Sequence, residues 1–235
     1  MLSVHFHSHA MKLPKLVKDS VARVKRAVKF NHPTPRSAFP DEVLKQKKFA
    51  ELGYETDKSK IHNELDGSGY NLDEGLSSNE TKVFTNPATK EVTVAYRGTD
   101  LSKPSRWKDL RSDVAIATGL EKYDPHFQQA KAHFKGVEDK YKKDGYKVTI
   151  TGHSLGGQLS KYVNNEQRGV VDMNVAFSRG SGLMEPFRKK QRNTVDVSHK
   201  SDVISLGARL QGGKQMIEGS NKGVLGSHSL KTLFA

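Results

Sequence analysis

Residues 147–151, KVTIT, form a short β-branched run that passes without a spacer into Gly152-His153-Ser154-Leu155-Gly156 and on into the helical pattern LGGQLSKYVNNE. No other stretch of the 235-residue chain restricts its fold as tightly. A strand can enter a helix this abruptly only through a sharp, strained turn, and G-x-S-x-G is the pattern that permits one. Side chains at Gly152 and Gly156 would collide as strand and helix approach, and Ser154 must accept an unfavourable backbone angle. The turn lifts the Ser154 hydroxyl out of the sheet. It also aims the free N–H groups of the helix N-terminus at any negative charge developing beside that hydroxyl.

The punctuation around this junction predicts an α/β domain. Residues 82–85 and 91–96 read as two strands joined by a turn at Asn86-Pro87, the second leading into Arg97-Gly98-Thr99-Asp100. Residues 107–118 and 124–143 read as helices, the latter with Phe127, Ala130, Phe134, Val137 and Tyr141 on one face. Residues 170–177 and 194–197 supply further strands, separated by the basic helix or loop EPFRKKQRN. Strands alternating with helices imply a mainly parallel sheet flanked by helices. Asp41 is expected to cap a helix through Leu44, Lys48, Phe49 and Leu52 that ends at Gly53, and residues 57–79 to be mostly loop.

Charge divides the chain. Lys and Arg number 39 against 26 Asp and Glu, for a net charge of +13, and residues 1–36 hold eight of the cations and one acid, or +7. Within that segment Leu13, Leu16, Val17, Val21, Val24 and Val28 recur at helical spacing among seven cations at positions 12–29. This is a basic amphipathic helical arm, suited to an anionic membrane or nucleic acid, or to packing its apolar stripe on the domain; a mitochondrial-type presequence is a weaker alternative. Three prolines between positions 33 and 40 mark a linker, so the expected organisation is an arm and linker at 1–40 and a catalytic domain at 41–235. The start lacks a secretory signal pattern and no apolar run approaches membrane-spanning length, which points to an intracellular or peripheral-membrane setting. Cysteine is absent, which excludes disulfide scaffolds, thiolate metal sites and a cysteine nucleophile. His5, His7 and His9 alternate as ligands on a strand would, but a terminal tail is a poor place for a metal site.

A serine nucleophile needs a base and an orienting acid, expected in the chain order Ser, acid, His. Only His199 and His228 follow Ser154. Of the downstream acids, Asp202 fits better than Asp196, because it lies just beyond the end of the strand-like TVDVSH, where open α/β sheets place their sites. His228, in LGSHSL, follows it.

These residues resemble the class 3, or fungal lipase-like, family within the α/β-hydrolase fold. The likeness runs from about residue 81 to 228. VTVAYRGTD is similar to the family's strand ending in R-G-T or R-G-S, WKDLRSD to its W-x-x-D-L element, VTITGHSLGG to its signature and DVISL to its acid-bearing segment, and His228 stands at its late histidine. The resemblance implies Ser154 as nucleophile, Asp202 as orienting acid and His228 as base. It further implies Thr99 and Leu155 as backbone donors of the oxyanion hole, a lid at 100–106, and neither cofactor nor metal. Departures are the short spacing from Asp202 to His228, a polar and basic lid segment, and the missing signal peptide and disulfides. They shift the expected substrate from neutral fat toward phospholipid, in a phospholipase A1-like reaction, or toward small esters, with residues 12–29 drawing the protein to anionic lipid. The rival readings are a catalytically silent scaffold of the same fold and a nucleic-acid- or capsid-associated protein that works through its arm.

Overall fold

The computed structural model describes residues 39–99, 121, 123–181, 185, 190–211, 214–219 and 223–233. The first helix, α1 (Asp41–Leu52), starts one residue earlier than a cap at Asp41 requires: Pro40 is the cap and Asp41 and Glu42 form an acidic first turn, favourable to the helix dipole. Val43, Gln46, Phe49, Ala50 and Leu52 are its buried residues, whereas Leu44 is 40 % exposed. The stretch expected to be mostly loop contains α2 (Lys58–Leu65) and the short strand β1 (Asn71–Leu72). Asp57 caps α2 by accepting from the Ser59 N–H, and Ile61 and Leu65, four apart, hold it on the core. Two anchors in eight residues are too few to stand out as a period.

The strands β2 (Thr81–Asn86) and β3 (Glu91–Tyr96) form the expected hairpin. Helix α3 (Pro125–Val137), capped by Asp124, continues through a π turn at Glu138–Lys142 and buries all five apolar positions predicted for it. Then come β4 (Lys147–His153), α4 (Leu155–Glu166), β5 (Met173–Phe177) and β6 (Thr194–His199). The chain closes with α5 (Leu206–Gln211), β7 (Lys214–Glu218), α6 (Gly223–His228) and a 3-10 turn at Leu230–Thr232. α5, β7 and α6 were not foreseen. KQMIE is a short edge strand with little β-branched character, and GVLGSH reads locally as loop.

The seven strands lie in sequence order, β1 to β7, with β1–β2 and β2–β3 antiparallel and every pair from β3 to β7 parallel. Register matters for the site. Tyr96 pairs with Gly152, His153 with Phe177 and Phe177 with Val197, so the carboxyl ends of β3 to β6 finish level. One sheet face, with Val92, Val94, Tyr96, Val148 and Ile150, packs on Phe127, Phe134, Leu159 and Val163 of α3 and α4. On the other, Val175, Phe177, Val195 and Val197 pack on Val43 and Ala50 of α1, with Phe39, Leu230 and Leu233. Among the described residues no helix is long and apolar enough to cross a membrane. The expected helix at 107–118, the lid at 100–106, the arm, and His5, His7 and His9 lie outside the described residues.

Candidate active site

Four loops meet where β3 to β6 end: residues 97–99, Ser154, residues 178–180 and residues 200–202. Ser154 stands between β4 and α4 with φ 56° and ψ −121°, a conformation that L side chains rarely hold. Its N–H donates to the Phe177 carbonyl at 3.0 Å, and its own carbonyl accepts from the Gly180 N–H at 3.3 Å, so the end of β5 and the loop after it fix the turn on both sides. The glycines obey the steric expectation with one refinement. A Cβ at Gly152 would lie 2.3 Å from the Gly156 carbonyl oxygen, the predicted strand–helix collision. A Cβ at Gly156 would instead meet the Tyr96 carbonyl oxygen, at 2.1 Å, on the neighbouring strand. Gly157, not singled out in the sequence, is pressed between Gly152 and Arg179, with its Cβ position 3.2 Å from the former's oxygen and 3.3 Å from the latter's Cα.

The structure brings Ser154, Asp202 and His228 together. His228 Nε2 is 2.9 Å from Ser154 Oγ, and His228 Nδ1 is 3.1 and 3.0 Å from Asp202 Oδ1 and Oδ2. All three residues are buried. Burial alone would raise the Asp202 carboxyl, but the hydrogen bond from His228, with that from Ser205, outweighs it and holds the group below the usual carboxylate value. The Ile204 and Ser205 N–H groups donate to the same carboxyl, and Arg209 Nη1 donates to the Asp202 and His199 carbonyls at 2.5 and 3.1 Å, pinning the loop from beneath.

Leu155 is the first residue of α4, where an N–H has no acceptor within the helix. Thr99 lies three residues beyond β3 in a loop packed against the elbow, since a Cβ at Gly98 would be 2.4 Å from the His153 carbonyl and 3.3 Å from the Gly156 nitrogen. Both candidate oxyanion donors are thus carried to the serine by strands paired in parallel.

Asp196 is excluded from this group by parity. Ala176 pairs with Asp196 across β5 and β6, on the face covered by α4, whereas Phe177, Val197 and His153 share the opposite face. Asp196 is buried and paired in bidentate fashion with Arg179, at 3.0 and 3.1 Å. Arg179 Nη1 also donates to Gln158 and Glu185, Lys161 pairs with Glu185, and Lys190 reaches Asp196 at 2.8 Å. This buried ion cluster binds α4, β5 and β6 immediately behind the elbow. Sequence reasoning missed it; a lone Arg after VAFS offers no pattern. Lys190, from the basic EPFRKKQRN segment, is drawn into it, while Arg188 and Lys189 lie outside the described residues. His199 takes no part in the site. It is buried between Glu218, on Nδ1, and the Thr232 hydroxyl, 3.2 Å from Nε2.

The profile of the family "Lipase (class 3)" matches residues 89–166, about a third of the chain, from the β2–β3 turn through α4. No curated protein sequence matches. Among solved structures, Lip2 lipase from Yarrowia lipolytica superposes with a TM-score of 0.55 at 17 % identity, over 86 % of this chain and 95 % of that one. Lipase II from Rhizopus niveus gives a TM-score of 0.43 at 14 % identity, over 71 % and 76 %. The first likeness shows the fold, an α/β-hydrolase sheet flanked by helices, and the stretch from residue 89 to 166, with Ser154 at its turn, is similar to the class 3 lipases.

Proposed function

We propose that the protein is a serine carboxylic-ester hydrolase acting on lipid esters, with Ser154 as nucleophile, His228 as general base and Asp202 as orienting acid. The observation that carries this reading is the continuous contact from Ser154 Oγ through the His228 ring to both Asp202 oxygens. A carboxylate only accepts, so His228 bears its proton on Nδ1 and offers the Nε2 lone pair to the serine O–H. Ser154 Oγ attacks the ester carbonyl as its proton passes to His228 Nε2. The Thr99 and Leu155 N–H groups stabilise the oxyanion, and the proton then leaves with the alcohol as the C–O bond breaks. Water repeats the sequence on the acyl-serine, yielding the carboxylic acid and restoring Ser154.

The polar, basic segment at 100–106 favours a phospholipid or small ester over neutral fat, and the seven cations at positions 12–29 would bring the enzyme to anionic lipid.

The test is labelling by a fluorophosphonate, whose phosphorus bonds to an activated serine oxygen with loss of fluoride, alongside turnover of p-nitrophenyl esters and phospholipid vesicles. Labelling at Ser154 with ester turnover is expected. An unlabelled Ser154 and no turnover over a range of acyl lengths would sink the reading in favour of a silent scaffold.

A further inference from the structure

β4 alternates across the sheet, so Thr149, Thr151 and His153 face the side where α1 and the C-terminal residues pack. That parity delivers His153, one residue before Ser154, to the side from which His228 approaches. The His153 ring is buried, with Nε2 2.6 Å from the main-chain carbonyl oxygen of His228 and Nδ1 3.0 Å from the Tyr54 hydroxyl. A carbonyl can only accept, so the Nε2 at that distance must bear the proton. In a neutral ring Nδ1 is then the acceptor and the Tyr54 hydroxyl the donor. Burial, and then the neighbouring His228, push the His153 pKa down to about 3, which keeps the ring neutral near pH 7.

The same pair supports the other half of the site. A Cβ at Gly98 would lie 2.4 Å from both the Tyr54 hydroxyl and the His153 carbonyl oxygen, and the Arg97 guanidinium lies 5.9 Å from the Tyr54 ring centroid. The loop that carries Thr99 therefore rests on Tyr54 and His153. Tyr54 itself lies two residues past the end of α1, and the His153 and His228 ring centroids are 5.2 Å apart.

We propose that Tyr54 and His153 are positioning residues: the Tyr54 hydroxyl donates to Nδ1 and orients the His153 ring, His153 holds the His228 backbone, and together they seat the 97–99 loop, so that base and oxyanion donor share one support. This inference rests on the serine-hydrolase reading.

The experiment compares H153L, H153Q and Y54F in the full chain. The glutamine amide can donate to the carbonyl that His153 Nε2 serves; leucine fills similar space without a donor. In H153L, kcat for a short p-nitrophenyl ester should fall about 10- to 100-fold with KM changed less than about twofold, because geometry rather than substrate binding is lost. H153Q should recover most of that loss, and Y54F should fall about three- to tenfold in kcat. In the wild type, 15N spectra of the imidazoles should show His153 protonated on Nε2 only from pH 5 to 8. Equal slowing by Gln and Leu, an unchanged kcat in H153L, or a His153 ring protonated on Nδ1 would overturn the inference. The fluorophosphonate separates the two ideas. A wild type that is not labelled sinks the hydrolase reading, whereas a labelled wild type with H153L labelled at the same rate sinks the positioning role alone.

Discussion

Ser154 holds φ 56° because the chain must turn from β4 into α4 within one residue, a turn tolerated because Gly152 and Gly156 have no side chains to collide. Replacing Ser154 by Ala removes the proposed nucleophile without adding an atom. Ester turnover should fall by about 10³-fold or more, with the thermal midpoint within a few degrees of wild type. Asp202→Asn should cost about 10⁴-fold in kcat, since an amide nitrogen facing Nδ1 no longer selects the productive tautomer. Two glycines separate steric need from conformational need. Gly145 has φ 76° with open space where its Cβ would be, so G145A should lose only about 1–2 kcal/mol of stability in urea unfolding. Gly156→Ala drives a Cβ to 2.1 Å from a backbone oxygen and should cost more than about 3 kcal/mol, or abolish folding. Equal losses in the two would sink the steric account. At this scale the elbow was legible in the sequence because its constraint is local. The role of His153 was not, since its partners Tyr54 and His228 lie 99 and 75 residues away.

Among the elements, the ion cluster of Arg179, Asp196, Glu185, Lys161 and Lys190 ties α4 to β5 and β6 and so holds the elbow's helix in place. Arg179→Met leaves two buried carboxylates short of their principal partner and should destabilise by about 3–5 kcal/mol in urea unfolding, with ester turnover falling in step with the folded fraction. Lys161 gives the cluster a pH signature. Burial first, and then the charge of Arg179, depress its pKa from 10.5 to about 8. Between those values the unfolded chain binds the proton and the folded chain does not, so this group makes stability rise with pH over that interval, by on the order of 1–3 kcal/mol. Denaturant midpoints should therefore hold or rise from pH 8 to 10, and K161Q should lose that rise. A decline identical in both proteins would refute it. The carboxylates act at the other end. Asp202, Asp196 and Glu185 are all held below their usual values, so the stability they contribute is complete above about pH 4.5 and is lost as pH falls through their lower folded values. The strands from β2 to β6 and helix α3 were readable from period and turn residues. Helix α2 and strand β7 were not, being short elements whose few apolar positions acquire meaning only beside the sheet.

For the whole molecule, the charge predicts behaviour at a surface. Changing the seven cations at 12–29 to Gln in the full chain should weaken sedimentation with anionic vesicles at least tenfold and flatten its salt dependence. Hydrolysis of a soluble p-nitrophenyl ester should remain within about twofold. Unchanged vesicle binding would remove the arm from the membrane account, and strong salt-dependent binding to DNA instead would favour the polyanion reading. The sequence by itself determined the α/β alternation, the strained turn at Ser154 and the chain order of a serine, then candidate acids, then a late histidine, because each follows from local sterics or from chain order along successive strands. Only the tertiary structure decided that Asp202 rather than Asp196 faces His228, since the choice depends on which sheet face each acid occupies once β5 and β6 pair. It alone also joined Tyr54, His153 and the His228 carbonyl, a contact made by residues far apart in the chain whose hydrogen-bonding groups must be paired once burial takes them from water.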